Sequence, residues 1–200
     1  YKNTRNQMLG EDFSTKFSPY LSLGILNVKE IINEVNKYEK SRVKNISTYW
    51  VKFELLWREY CKWVSLIHGK NVFLEKGISN QEIYSKWDEE FYNKFISSQT
   101  GYGLVDAGVK ELVETGYLSN RARQNVASFY VKNLHLLWIK GAQFFEKHLL
   151  DDMAKHKNIL ILSNDYNNDT VFFQLCAISF LNNDYSYNKL LELINKYKHL

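Results

Sequence analysis

Three stretches of the sequence gather hydroxyl, cationic and aromatic side chains at spacings suited to an anionic or flat ligand. Ser14-Thr-Lys-Phe-Ser-Pro19 places three hydroxyls and a lysine just before the only proline of the chain. Proline is at home in the first turn of a helix, and such a start offers unpaired N–H groups and a positive dipole end, which suit a phosphate. An ordinary serine N-cap followed by proline explains the same spacing. Glu54-Leu-Leu-Trp-Arg58 carries an i,i+4 acid–base pair with Trp57 at its edge. It reads either as a surface ion pair beside a core tryptophan or as a polar rim with a plane on which a heterocycle stacks. Ser119-Asn-Arg-Ala-Arg-Gln-Asn125 sets two arginines in the first turns of a helix, where the dipole disfavours cations. A solvated helix start and a site for an anion or a heterocycle edge both account for it.

Other chemistries have no support. The five histidines fall in no metal-ligand spacing, and His148 and His156 are too far apart for a paired helical site. No P-loop, dinucleotide glycine fingerprint or nucleophile elbow is present. Thr100-Gly-Tyr-Gly103 reads as an interhelical turn. Cys61 and Cys176 form no Cys-x-x-Cys pair and are expected to be reduced thiols of an intracellular protein, whose compartment stays unassigned. No apolar run approaches the roughly 18 residues of a membrane span, so no membrane partner is expected.

The chain has 200 residues, 45% apolar and 24% charged, with 16% aromatics, one proline and nine glycines. That composition suits a globular protein with a substantial core and argues against turn-dense β folds. The net charge of +4 permits an anionic partner without requiring one. Residues 1–24 are irregular. Asn27-Val-Lys-Glu30 is a capping box, with Ile31, Ile32, Val35 and Tyr38 recurring at helical spacing behind it. A second helix is expected over Ser47–Ile67, with an apolar face that includes Trp50, Phe53, Trp57 and Tyr60. Ser79 to Glu82 reads as a further capping box opening a helix to about Ile96. Helices over Val105–Glu114, Ser119 to about Leu134, and Trp138–Leu150 follow. Beyond Asp152 the composition changes: Ile159–Leu162 fits a strand or a buried turn, and Phe172–Leu181 and Tyr187–Tyr197 fit helices. The expected fold is all-α.

In order, Thr4-Arg-Asn-Gln-Met-Leu-Gly10, Ser14 to Gly24, Ser47-Thr-Tyr-Trp50, Phe53 to Arg58, Thr100-Gly-Tyr102, Val105-Asp-Ala107 and Thr115 to Phe129 resemble the FAD-binding helical domain of the photolyase/cryptochrome family. The resemblance is greatest to the cryptochrome DASH branch and covers residues 1 to about 152. It implies an orthogonal helical bundle over 1–152 and a divergent helical segment over 153–200. It also implies bound FAD: Tyr1 lines its pocket, Ser14, Thr15, Lys16, Phe17 and Ser18 hold the diphosphate, and Arg58, Asn120, Arg123, Asp151 and Asp152 complete the site. Arg123 is expected over the flavin ring, paired with Asp151.

Glu54, Trp57, Asn120 and Arg121 would face DNA carrying a pyrimidine dimer, single-stranded or looped. Trp87 and Trp138 match the outer two members of the family's electron-hopping chain, whose inner tryptophan has no counterpart. The implied reaction is light-driven: an electron passes from reduced flavin to the dimer, the ring splits, and the electron returns. An N-terminal antenna domain, usual in the family, has no counterpart in the sequence. The alternative is a cofactor-less descendant serving as a structural or partner-binding protein.

Overall fold

The computed structural model describes residues 1–8, 13–78 and 86–151. All regular elements among them are helical, apart from a single parallel bridge between Lys86 and Leu136. The helices are α1 (Ser18–Ser22), α2 (Val28–Ser41), α3 (Ile46–His68), α4 (Glu89–Ile96), α5 (Gly103–Thr115), α6 (Asn120–Ser128) and α7 (Trp138–His148). A 3-10 turn, Gly69–Phe73, follows α3, and a π-helical turn, Phe129–Asn133, follows α6.

Local chemistry sets the boundaries. The Asn27–Glu30 capping box is formed on both sides, at 2.9 and 3.1 Å. α3 starts one residue before the expected Ser47, because Asn45 is extended and its Oδ1 accepts from the amides of both Ser47 and Thr48. One amide oxygen thus serves two of the first-turn N–H groups that a helix leaves unpaired. The helix expected from Ser79 to Ile96 is not continuous. The Lys86 amide donates instead to the His135 carbonyl at 3.0 Å, and Asp88 caps a fresh start by accepting from the Phe91 amide. The Ser79–Glu82 box, Ile159–Leu162 and the two helices expected after residue 170 lie outside the described residues.

The turn before α5 is clamped by Asp106. Its carboxylate accepts from the Thr100 amide and hydroxyl and from the Gly101 amide, at 2.6 to 3.1 Å. Gly116 ends α5 at φ +70°, a left-handed conformation open to glycine at little cost. Its carbonyl accepts from the Leu150 amide, which brings the end of α7 back against the α5–α6 turn.

Two main apolar clusters follow from these helix faces, beside a minor one around Tyr60 and Val64 of α3. The larger joins α4 to α7 around Phe95, Val109, Leu112, Val126, Tyr130, Trp138 and Phe145. The smaller holds α1, α2 and α3 together through Leu21, Ile31 and Leu55, with Phe17 and Val35 packed against them. Trp138 belongs to the first cluster, yet its indole N–H donates to the Glu75 carbonyl at 2.8 Å, tying α7 to the segment after α3.

The α5–α6 contact is close. A Cβ at Gly108 would lie 2.8 Å from Val126 Cγ2, whereas a Cβ at Gly103 would meet nothing within 4 Å. Gly108→Ala is therefore expected to cost about 1–3 kcal/mol by overpacking. Gly103→Ala should be neutral or stabilise by up to about 1 kcal/mol through the unfolded chain. Urea unfolding of the two variants beside the parent checks both.

Candidate functional site

Between the two clusters lies a cavity of about 320 Å³. Its walls come from three parts of the chain far apart in sequence. Ser14, Thr15, Phe17 and Ser18 supply the first, Glu54, Trp57, Arg58 and Cys61 of α3 the second, and Asn120 and Arg123 of α6 the third. Asp151 closes the back and Tyr1 the rim. A groove of about 780 Å³ between α2 and α3 shares Tyr1, Phe17 and Val51 with this cavity, so the hollow continues along α3. Lys16, Trp87, Arg121 and Trp138 do not line the cavity, and Asp152 lies outside the described residues.

Lys16 has φ +57°, rare for a residue with a side chain, and its amide donates to Ser14 Oγ at 3.1 Å. Its ammonium sits 4.2 Å from the ring centroid of Tyr117, a residue of the cavity wall, and 4.9 Å from that of Phe13. Two aromatic faces offset some of the backbone strain. α1 starts at once after this kink, with no side-chain cap. The wall therefore presents hydroxyls and first-turn amides, while the lysine charge rests on the Tyr117 and Phe13 rings.

On α3 the Glu54–Arg58 pair expected from spacing does not form. Glu54 pairs with Arg5, and Arg58 donates to the neighbouring Glu59 at 2.8 Å. Residues 1–8 cross over α3 and deliver Arg5 to the same face, a contact 49 residues apart in sequence that no helical periodicity reveals. Arg5 and Lys2 both lie on the Trp50 ring, at 4.4 and 3.8 Å from its centroid. Arg5 appears in a matched sequence stretch, but its partner is legible only in three dimensions.

On α6, Ser119 is fully buried and caps the helix by accepting from the Ala122 amide. The cap turns Arg123 inward. Its Nε donates to the Leu118 carbonyl at 2.8 Å and its Nη2 to Asp151 Oδ2 at 3.0 Å. Both side chains are largely withdrawn from solvent, 13% and 6% exposed. The second Asp151 oxygen, Oδ1, has no hydrogen-bond partner among the described residues. A buried acceptor of this kind calls for a donor.

Arg121 points the other way, donating to Asn6 Oδ1 at 2.7 Å and to Gln124 Oε1 at 2.9 Å. Trp87 is half exposed, with its ring centroid 4.9 Å from that of Tyr92, while Trp138 is buried in the core. Asn6, Gln124, Cys61 and Tyr117 were not singled out from sequence. Asn6 and Gln124 fall inside matched stretches, whereas Cys61 carried no signal beyond its thiol.

The family model "FAD binding domain of DNA photolyase" matches residues 50–185. The chain belongs to that family. It is 48% identical to cryptochrome DASH of Gloeobacter violaceus over 157 residues, covering 78% of this chain and 31% of the relative. It is 44% identical to cryptochrome DASH of Xenopus laevis over 170 residues, covering 84% and 32%. The Synechocystis cryptochrome structure superimposes with a TM-score of 0.80 at 39% identity, covering 99% of this chain and 39% of that one. A class III photolyase from Agrobacterium tumefaciens shares the fold, with a TM-score of 0.73 at 24% identity. The chain thus spans about a third of the length of these relatives.

FAD is the cofactor of this domain. The cavity residues fit it. Hydroxyls and first-turn amides suit a diphosphate, Arg58 and Arg123 suit an electron-rich ligand, and the orphaned Asp151 oxygen suits a ring N–H or a ribityl hydroxyl.

Burial raises the Glu54 carboxyl above the ordinary glutamate value of 4.5, against the pull of Arg5 and Lys2. The folded chain therefore holds this proton more tightly than the unfolded chain does. The resulting stability is fully present below 4.5 and is lost as pH rises through the folded-state value. The stability of the parent relative to Glu54→Gln should fall as pH rises above 4.5 in urea unfolding. A difference that grew with pH would mean that the Arg5 pair outweighs burial.

Proposed function

We propose that this domain serves a light-driven DNA photolyase of the DASH type, splitting cyclobutane pyrimidine dimers in single-stranded or looped DNA. What supports the reading most directly is the convergence of Glu54, Trp57 and Asn120 on the cavity whose back wall is the Arg123–Asp151 pair. A carboxylate and an amide offer hydrogen-bond partners to base edges, and an indole offers a stacking plane.

In this reading Ser14, Thr15 and Ser18 donate to the diphosphate. Phe17 packs beside it, and Lys16 contributes its left-handed backbone and a charge held on the Tyr117 and Phe13 rings. Tyr1 and Arg58 border the cofactor, and Arg123, oriented by Asp151, lies against the flavin. The family resemblance assigns Asp152, which lies outside the described residues, to the cofactor as well. Bound FAD, reduced and light-excited, would supply the reversible one-electron transfer that lets the two cyclobutane carbon–carbon bonds of the dimer break.

The chain's own task is to receive a flipped dimer, hold it with Glu54, Trp57 and Asn120, exclude water, and leave Arg121 for the strand. A damaged, poorly stacked pair is cheaper to extrude than a normal one. Trp87 and Trp138 take the outer two places of the electron-hopping chain, whose inner tryptophan has no counterpart here.

The test is spectroscopic and enzymatic, on the purified chain and on the longest native polypeptide containing it. Flavin absorption should co-purify or develop on adding FAD, and Arg123→Ala should lose it. Trp57→Ala should keep the flavin yet weaken binding of dimer-containing oligonucleotide by about 1–3 kcal/mol. Bound flavin with no light-dependent splitting of dimers would remove the repair assignment and leave a flavoprotein of another activity.

A further inference from the structure

Residues 1–8 form a strap that links α3 to α6 beside the cavity. On α3 it is anchored by the Lys2 amide, which donates to Ser47 Oγ at 3.1 Å, by the two cations on Trp50, and by Arg5 on Glu54. At its far end Asn6 accepts from Arg121, 115 residues away in sequence. Gln124, three residues along α6, accepts from the other terminal nitrogen of the same guanidinium.

Arg121 differs from the other arginines of the site. Arg5 faces Glu54, Arg58 faces Glu59 and Arg123 faces Asp151. The partners of Arg121 are two neutral amide oxygens, and among the described residues no carboxylate lies within ion-pair distance of it. Two hydrogen bonds from separate nitrogens fix the plane of a guanidinium, and neutral acceptors do so without cancelling its charge. A carboxylate in either place would hold the group equally well and neutralise it.

We propose that Asn6 and Gln124 are positioning residues that hold Arg121 as an oriented, uncompensated cation for one phosphate of a single-stranded nucleic acid. This rests on the nucleic-acid reading given above. Orientation and charge are separable by substitution. Asn6→Asp keeps an acceptor for Arg121 and adds the neutralising carboxylate. Asn6→Ala removes the tether. Asn3→Asp puts the same extra charge on an exposed strap position outside the tether.

The experiment measures binding of an oligothymidylate to the FAD-reconstituted chain by fluorescence anisotropy across a range of salt. Loss of one phosphate contact reduces the magnitude of the salt slope by about 0.7 for a single strand. Arg121→Ala and Asn6→Asp should each show that reduction, their combination should show no more than one of them, and Asn3→Asp should leave the slope unchanged. A parental slope in Asn6→Asp, or additive losses in the double variant, overturns the proposal.

A second readout follows the Arg121 guanidinium by nitrogen-15 NMR. Slow rotation, seen as resolved terminal nitrogens, should be present in the parent and Asn6→Asp and lost in Asn6→Ala. Free rotation in the parent overturns the positioning role. Slow rotation without oligothymidylate binding at any salt overturns the nucleic-acid reading, and the assigned phosphate falls with it.

Discussion

The ion pair between Arg123 and Asp151 is the constraint around which the site is arranged. It joins the first turn of α6 to the residues just after α7, with little of either side chain in water. Two charges withdrawn from solvent cost several kcal/mol each unless their geometry and remaining hydrogen bonds are good, and removing one partner typically costs about 3–5 kcal/mol. Arg123 is well provided for, with Leu118 as a second acceptor. Asp151 is not, because one of its oxygens has no partner among the described residues. An apolar pair would fill this place more cheaply, so the arrangement makes physical sense as one side of a binding site: the protein holds the charges apart from water and leaves an acceptor for a donor from outside the described residues.

That pair would be useless without α3, which is the wall common to both parts of the molecule. Its inner side packs Leu55 into the small cluster, while Glu54, Trp57, Arg58 and Cys61 face the cavity. Its aromatics form a continuous series, with Tyr49, Trp50, Phe53, Trp57 and Tyr60 in ring contact at centroid separations of 5.1 to 6.3 Å. Edge-to-face and stacked packing of this kind supports the helix surface from which the cavity-facing side chains project. The strap exploits the outer end of the series, because the Trp50 ring face holds Lys2 and Arg5 and so brings a cation to Glu54.

The helices were largely legible because their signals are local. Asn27 and Glu30, Ser119, and Gly116 mark helix ends through contacts within a few residues, and these are formed. Errors arose where a distant group intervened. Nothing in Ser79 to Ile96 announces that the Lys86 amide will be taken by the His135 carbonyl, so the periodic pattern looked unbroken. Glu54 and Arg58 were correctly placed on one helix face but wrongly paired, since Arg5 arrives from outside that helix and Glu59 lies next to Arg58. The Asp106 clamp has no signature in the sequence, because an aspartate three residues into a helix looks like any favourable first-turn charge.

From residue order alone came the all-helical architecture, the family, its cofactor, and the segments that line the cavity, because capping, periodicity and contiguous motifs are properties of short stretches. Tertiary structure decided which charge meets which: Arg5 with Glu54, Arg121 with two amides, Arg123 with Asp151, and the Lys16 ammonium with two rings. Each is a contact between groups that chain folding brings together, with strength set by burial and by competing partners, and neither is written into the spacing of residues along a strand of sequence.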